Sequence, residues 1–339
     1  MSKPRVLIVG ATGRTGGTIV DALLEAGQTE VEVLIRPPSL AKPAALKLQE
    51  RGIKIHAAEL ENTTQLAGIL SGTHTVISAV GPELEAQLAQ IPLADAAKKA
   101  GVQRFVPCAW MTVCPAGGVM WLRDQLSSFN LMHNRESKSS SMFVKLGLPY
   151  TIIDVGYWYQ VSFPTLPSGR VDYASLLLPN TTILGEGNMK TALTDLRDIG
   201  PYVAKIIMDV RTVNKYVFCY GELLSQEELF AKMEELSGEN IERKYISSGE
   251  LKTLLDTTKS SFCYDFSNVQ QAFTFIGLEY RYSMYVRGDN DPAYAKYLGY
   301  LDARELYPEF VPRRFEAYAK ELLEGNAVAV YQGWSFQAW

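Results

Sequence analysis

The chain predicts an α/β fold: a doubly wound parallel sheet followed by a smaller α+β lobe. Three observations predict it. Short apolar runs alternate with amphipathic helical stretches through the N-terminal third, glycines stand at 10, 13 and 16 between the first run and the first helix, and the alternation loosens after about residue 110. The run 6–9 (Val-Leu-Ile-Val) is apolar throughout, as a central strand covered on both faces must be, and the helical pattern of 18–24 follows it. Strands are predicted at 31–35, 54–57, 75–80 and 104–107, with helices over 44–51, 64–70 and 87–100. Alternation of this kind requires right-handed crossovers onto one parallel sheet.

Beyond the fifth strand, residues 113–141 read as a variable loop or lid, polar and serine-rich from 127 onward. A helical segment at 142–146 and a strand at 150–155 restore regularity. We therefore expect a first domain over 1–155 and a second lobe over 156–339, with some segments of the lobe returning to the first sheet. Helices at 225–237 and 313–324 fall in that lobe.

Composition narrows the function classes. The 339 residues suffice for two domains, and 47% hydrophobic with 21% charged residues is ordinary for a globular chain. A net charge of -4 argues against nucleic acid as partner, because backbone phosphates are bound by clustered Lys and Arg. No apolar run approaches the ~20 residues that span a bilayer, and Met1-Ser2-Lys3-Pro4 leads straight into a strand pattern, so a cytoplasmic protein without membrane contact is expected. Cys108, Cys114, Cys219 and Cys263 are scattered, as are His56, His74 and His133, and none has metal-ligand spacing; we expect no metal.

Glycines in a strand-to-helix turn have a specific use. Gly10 permits the turn, Gly13 lets a pyrophosphate approach the backbone, and Gly16 lets helix pack on strand, while the helix N-terminus offers free N–H groups to phosphate. The segment Gly10-Ala11-Thr12-Gly13-Arg14-Thr15-Gly16 is thus a dinucleotide loop of the Rossmann type. Arg36 stands at the end of the second strand, where an NAD-selective site places Asp or Glu. A guanidinium there suits a 2′-phosphate, and Arg14 and Lys42 can join it, so NADP(H) is the expected cofactor.

These residues, with Ser78-Ala79-Val80-Gly81, Gly101-Val102-Gln103-Arg104-Phe105-Val106-Pro107, Leu122-Arg123-Asp124, Gly147-Leu148-Pro149-Tyr150-Thr151 and Asp154-Val155-Gly156-Tyr157-Trp158-Tyr159-Gln160, carry a resemblance. The chain resembles the NmrA-like and isoflavone-reductase-like group of atypical short-chain dehydrogenases, of the type found in fungal secondary metabolism. The resemblance implies that Ser78, Ala79, Val80 and Gly81 lie beside the adenosine half of the cofactor. It also implies that Pro107, Cys108 and Ala109 lie near the nicotinamide, and that Val155, Gly156 and Tyr157 help close the site. Trp110, Trp158 and Tyr159 are expected against a flat or polycyclic small-molecule substrate, although the 157–159 cluster reads equally as packed aromatic core.

The catalytic group departs from the family pattern. No Tyr-x-x-x-Lys follows the fifth strand, and the Lys that relatives carry shortly after Leu-Arg-Asp is absent: Leu126 stands two residues after Asp124, and Glu136 stands 13 before Pro149. The two reference points imply an insertion within 125–138. Lys138 is the nearest replacement as proton donor, with Glu136 and His133 as alternatives. Three functions follow: an NADPH-dependent reductase of a C=C, C=N or C=O bond in an aromatic or alkaloid-like secondary metabolite, a non-redox cyclase or isomerase that retains NADP(H), and an NmrA-like redox-sensing regulator without catalysis.

Overall fold

The computed structural model describes residues 2–81, 84–115, 117, 119–121, 123, 124, 146–262, 268–330, 336 and 337. They form two compact units: one from the described residues of Met1–Trp110, Gln125–Asp154 and Arg197–Val217, the other from those of Met111–Asp124, Val155–Leu196 and Phe218–Trp339.

In the first unit, β1 (Arg5–Val9), β2 (Glu30–Ile35), β3 (Lys54–Ala57), β4 (Thr75–Ser78) and β5 (Arg104–Val106) form a parallel sheet in the order β3-β2-β1-β4-β5. The intervening helices are α1 (Arg14–Ala26), α2 (Pro43–Glu50), α3 (Thr63–Leu70), α4 (Leu84–Leu88) and α5 (Gln90–Lys99). Strand order reverses between β1 and β4, and this switch point opens a crevice at the carboxyl ends of the strands. Val9 pairs with Leu34 on one side and Ser78 on the other, so β1, β2 and β4 end level. A sixth strand, β6 (Thr151–Asp154), follows β5 through the Phe105–Tyr150 bridge.

β1, β2, β4 and β5 are buried on both faces along most of their length, β4 at all four positions, whereas the edge strand β3 is partly exposed. Differences from expectation have local causes. The helix expected over 87–100 is broken at Ala89, because the ring of Pro92 excludes the carbonyl of Leu88 four residues earlier from a continuous α-helix. β5 stops at Val106, where Pro107 offers no N–H to the ladder. α1 starts at Arg14, four residues before the apolar pattern at 18, since its first turn is built from the loop itself.

Buried charge fastens this unit. Arg104, 3% exposed, donates to the carbonyls of Ile206 (2.6 Å) and Asp209 (2.9 Å) and to Thr212 Oγ1 (2.9 Å), tying β5 to the end of α6 (Ile199–Ile206), which packs on α1. Glu32 lies 1% exposed within β2, 2.9 Å from Lys54 Nζ, 2.7 Å from His56 Nε2 and 3.7 Å from Arg5 Nε. Burial pushes its pKa up, but the hydrogen bonds from Lys54 and His56 and the charge of Arg5 outweigh burial and hold it below the usual carboxylate value.

The second unit holds a small mixed sheet in which Thr191–Thr194 runs parallel to Tyr157–Trp158 and antiparallel to Glu222–Leu224. Helix Gln226–Ser237 begins with a capping box between Ser225 and Glu228. One core gathers Tyr159, Phe163, Leu193, Phe230, Phe315 and Tyr318. Another joins Ser248–Phe262 to Val269–Tyr282 through Phe262 and Phe275, with ring centres 4.9 Å apart. A single π turn, Ser283–Arg287, continues the second helix.

Because Glu32 has a folded-state pKa below its unfolded one, its contribution is complete above the unfolded value and is lost as pH falls through the folded one. Glu32→Gln is expected to lower unfolding stability by about 1–3 kcal/mol at pH 7. The gap between wild type and variant should narrow below about pH 4.5, as followed by urea unfolding.

Candidate functional site

The glycine loop lies against β4 at backbone contact. Gly10 has φ +82°, and a Cβ there would stand 2.1 Å from the carbonyl oxygen of Ala79; a Cβ on Gly16 would stand 2.2 Å from the oxygen of Gly10. Any side chain at either position forces the loop off the sheet. Gly13 caps α1 with extended backbone and makes no side-chain cap, and the first turn of α1 contains no acidic residue. The first turn of the helix therefore carries no resident carboxylate, which is the electrostatic condition for binding phosphate. Thr12, Gly13 and Arg14 are exposed, whereas Thr15 and Gly16 are buried under the helix.

Arg36 follows β2 directly in extended conformation and is exposed, as is Lys42 just before α2. Since β2 ends level with β1, Arg36 stands at the same edge as the loop. The ends of β4 and β5 complete that edge. Trp110 Nε1 donates to the Ser78 carbonyl (3.0 Å) and Cys108 Sγ to the Val80 carbonyl (3.3 Å), so Ser78, Ala79, Val80 and Gly81 are bound to the stretch Pro107, Cys108, Ala109, Trp110. The Ser78 hydroxyl is buried with no hydrogen-bond partner among the described residues.

Two residues passed over in the sequence hold this edge together. Gln90, 2% exposed, accepts from Cys108 N (2.8 Å) and donates to Gln87 Oε1 (2.9 Å); Gln87, 7% exposed, donates to the Gly81 carbonyl (2.7 Å). Gln87 lies in α4 and Gln90 opens α5, on either side of the break at Ala89. What they bind was not legible, because Gly81 and Cys108 belong to different strand ends.

In the second unit, Val155 N donates to the Met111 carbonyl (2.9 Å) and Gly156 has φ +69°. Tyr157 and Trp158 are half-buried. Tyr159 is fully buried, its hydroxyl within hydrogen-bond distance of two acceptors, Glu222 Oε1 (3.1 Å) and the Arg313 carbonyl (3.2 Å), and its ring meets Phe315 edge-on, so its surface is taken up by core packing. Glu279, absent from the sequence reading, is 3% exposed and accepts from Trp121 N (2.8 Å); burial pushes its carboxyl up to about 7. Lys138, Glu136 and His133 lie outside the described residues. Among the described residues no group of three or more His, Cys, Asp or Glu is placed to hold a metal, and no described helix is long and apolar enough to cross a membrane.

A parallel sheet with this strand order, a glycine loop pressed on β4 and an uncapped, acid-free helix N-terminus define a dinucleotide-binding α/β protein. The chain belongs to the NmrA-like family, whose model matches residues 2–319. It is 42% identical over 330 residues to the asnovolin J 5′,6′-dehydrogenase of Aspergillus novofumigatus, covering 94% of this chain and 95% of that one. It is 27% identical to a probable pinoresinol-lariciresinol reductase 3 of Arabidopsis thaliana, over 91% of this chain and 94% of the relative. Among solved structures, the leucoanthocyanidin reductase–NADPH complex from Vitis vinifera shares the fold, with TM-score 0.76 and 24% identity over 94% of this chain and 99% of that one. A structure from the pinoresinol-lariciresinol and phenylcoumaran benzylic ether reductases matches with TM-score 0.73 and 26% identity, over 95% and 100%. The resemblance read from the motifs is thereby established.

Replacing Gln90 by Leu removes the acceptor of the buried Cys108 N–H and the partner of Gln87. The variant is expected to unfold about 1–3 kcal/mol more easily, as read by chemical denaturation.

Proposed function

We propose that this chain is an NADP(H)-dependent oxidoreductase that reduces a C=C, C=N or C=O bond of an aromatic or alkaloid-like secondary metabolite. The observation that carries the reading is the acid-free, uncapped start of α1 behind Gly10, Gly13 and Gly16, with Arg36 at the neighbouring strand end. The outward N–H groups of the loop fit a pyrophosphate, and Arg36, joined by Arg14 and Lys42, fits a 2′-phosphate. Ser78 to Gly81 take the adenosine side, Pro107 to Ala109 the nicotinamide side, and Trp110 and Trp158 meet the substrate. NADPH, when bound, supplies a hydride and leaves as NADP+. Lys138, Glu136 or His133 delivers the balancing proton to the substrate.

The names of similar proteins support a reductase reading, and the 42% identical relative, named for a dehydrogenase activity, favours the oxidative direction of the same hydride transfer. Both directions belong in one assay. Nicotinamide absorbance is expected to fall with NADPH, or rise with NADP+, for members of a panel of enones, imines, quinones and their saturated counterparts. Substrate turnover with no change in cofactor redox state would instead mark a cyclase or isomerase. Cofactor binding with no turnover of any kind would leave the regulatory reading.

Arg36→Ala is expected to weaken NADPH binding by about 10- to 100-fold, the loss of a charge-assisted hydrogen bond, while NADH affinity changes little. Nicotinamide fluorescence titrations check this; equal losses for both cofactors would remove Arg36 from the 2′-phosphate. Of Lys138→Met, Glu136→Gln and His133→Asn, the variant of the proton donor is expected to lose turnover about 100-fold or more with its NADPH affinity intact.

A further inference from the structure

The turns that follow β4 and β5 are joined by side chains. Trp110 Nε1 donates to the Ser78 carbonyl and Cys108 Sγ to that of Val80, directly from one turn to the other. The Gly81 carbonyl is reached through a relay of two buried amides. Gln87 Nε2 donates to it (2.7 Å), Gln87 Oε1 accepts from Gln90 Nε2 (2.9 Å), and Gln90 Oε1 accepts from Cys108 N (2.8 Å). Every link points the same way. Each amide presents its NH2 toward Gly81 and its oxygen toward Cys108, so turning either one over breaks both of its bonds.

The local sequence decides where the relay ends. β5 stops at Val106 and Pro107 has no N–H, so the N–H of Cys108 is the first donor beyond the strand. Gly81 stands likewise past the end of β4. Backbone groups beyond a ladder need other partners, and a carboxamide carries donor and acceptor on separate atoms of one end. The proline-induced break at Ala89 leaves Gln87 and Gln90 on different helices, which lets one serve each turn. Methionines at 87 and 90 would fill similar space with less desolvation cost. What the amides add is a single register between the two turns, since a fully satisfied buried network admits one arrangement of its partners.

We propose that Gln87 and Gln90 are positioning residues for the nicotinamide half of the cofactor, holding Pro107, Cys108 and Ala109 in register with the turn Ser78 to Gly81 that takes the adenosine half. The inference rests on the cofactor placement proposed above and adds to it the device that sets one half against the other. Neither amide touches the cofactor; both act through Gly81 and Cys108. Hydride transfer tolerates little misplacement of the reacting ring, so a turn displaced by even about 1 Å is felt at the nicotinamide and not at the adenosine.

Two probes separate the halves: adenosine 2′,5′-bisphosphate, which carries the 2′-phosphate and no nicotinamide, and NADPH. Their affinities for the full-length wild type, Gln87→Met, Gln90→Met and the double variant are measured calorimetrically, with a urea unfolding curve for each. Gln87→Met is the milder change, because it leaves Cys108 N bonded to Gln90. In both single variants the bisphosphate is expected to bind within about twofold of wild type, while the advantage of NADPH over it falls about threefold or more. The emission of bound NADPH, which an ordered nicotinamide shifts, should return toward that of the free cofactor. The double variant should fall no further than Gln90→Met, since the relay is already cut. Arg36→Ala should instead weaken both probes alike, as both carry the 2′-phosphate. Variants that keep the NADPH advantage and emission, that lose both probes equally, or that do not fold overturn the proposal and leave the relay a purely structural element. A wild type that binds neither probe removes the cofactor placement itself, whereas a wild type that binds both beside unchanged variants refutes the relay alone.

Discussion

The first unit depends on a contact that leaves no room for a side chain. Gly10 meets the carbonyl of Ala79, and Gly16 meets the carbonyl of Gly10, at distances where a Cβ would overlap backbone. This double approach seats the start of α1 at the carboxyl end of β1 and fixes the direction in which its unpaired N–H groups point. Because β1 and β4 flank the switch in strand order, the same contact sets where a ligand can enter the sheet. Arg36, exposed at the end of β2, stands at that same edge.

Buried polar groups then hold the edges of the crevice in register. Gln87 and Gln90 bridge the turn after β4 to the turn after β5. Arg104, at the start of β5, ties that strand to the end of α6, and Glu32 fastens β2 to β3 through Lys54 and His56. Each is a polar group in a dry setting, costly unless satisfied, and for that reason specific for one arrangement of its neighbours.

The second unit uses adjacent aromatic residues for opposite purposes. Tyr159 spends its hydroxyl on Glu222 and the Arg313 carbonyl and fills the core beside Phe315 and Tyr318. Tyr157, two residues earlier, is half-buried and lines a small cavity. The sequence shows only a Tyr-Trp-Tyr cluster, equally suited to packing and to a ligand. The contacts assign Tyr159 to packing.

What the sequence by itself determined was local. Apolar runs located the five strands of the first sheet and the glycine spacing located the start of the first helix, because each signal lies within a few residues of the group it controls. Pro92 and Pro107 were legible too, and their missing N–H groups set the element ends where the hydrophobic pattern overran them. Only the tertiary structure decided which polar residues are committed to structural contacts. Gln90 meets Cys108, Arg104 meets Ile206, and Arg281 shares a cavity with Tyr157, through chain segments that no periodicity connects. Burial and pairing belong to the packed chain, since the same side chain is a solvated surface group or a desolvated donor according to what the fold brings against it.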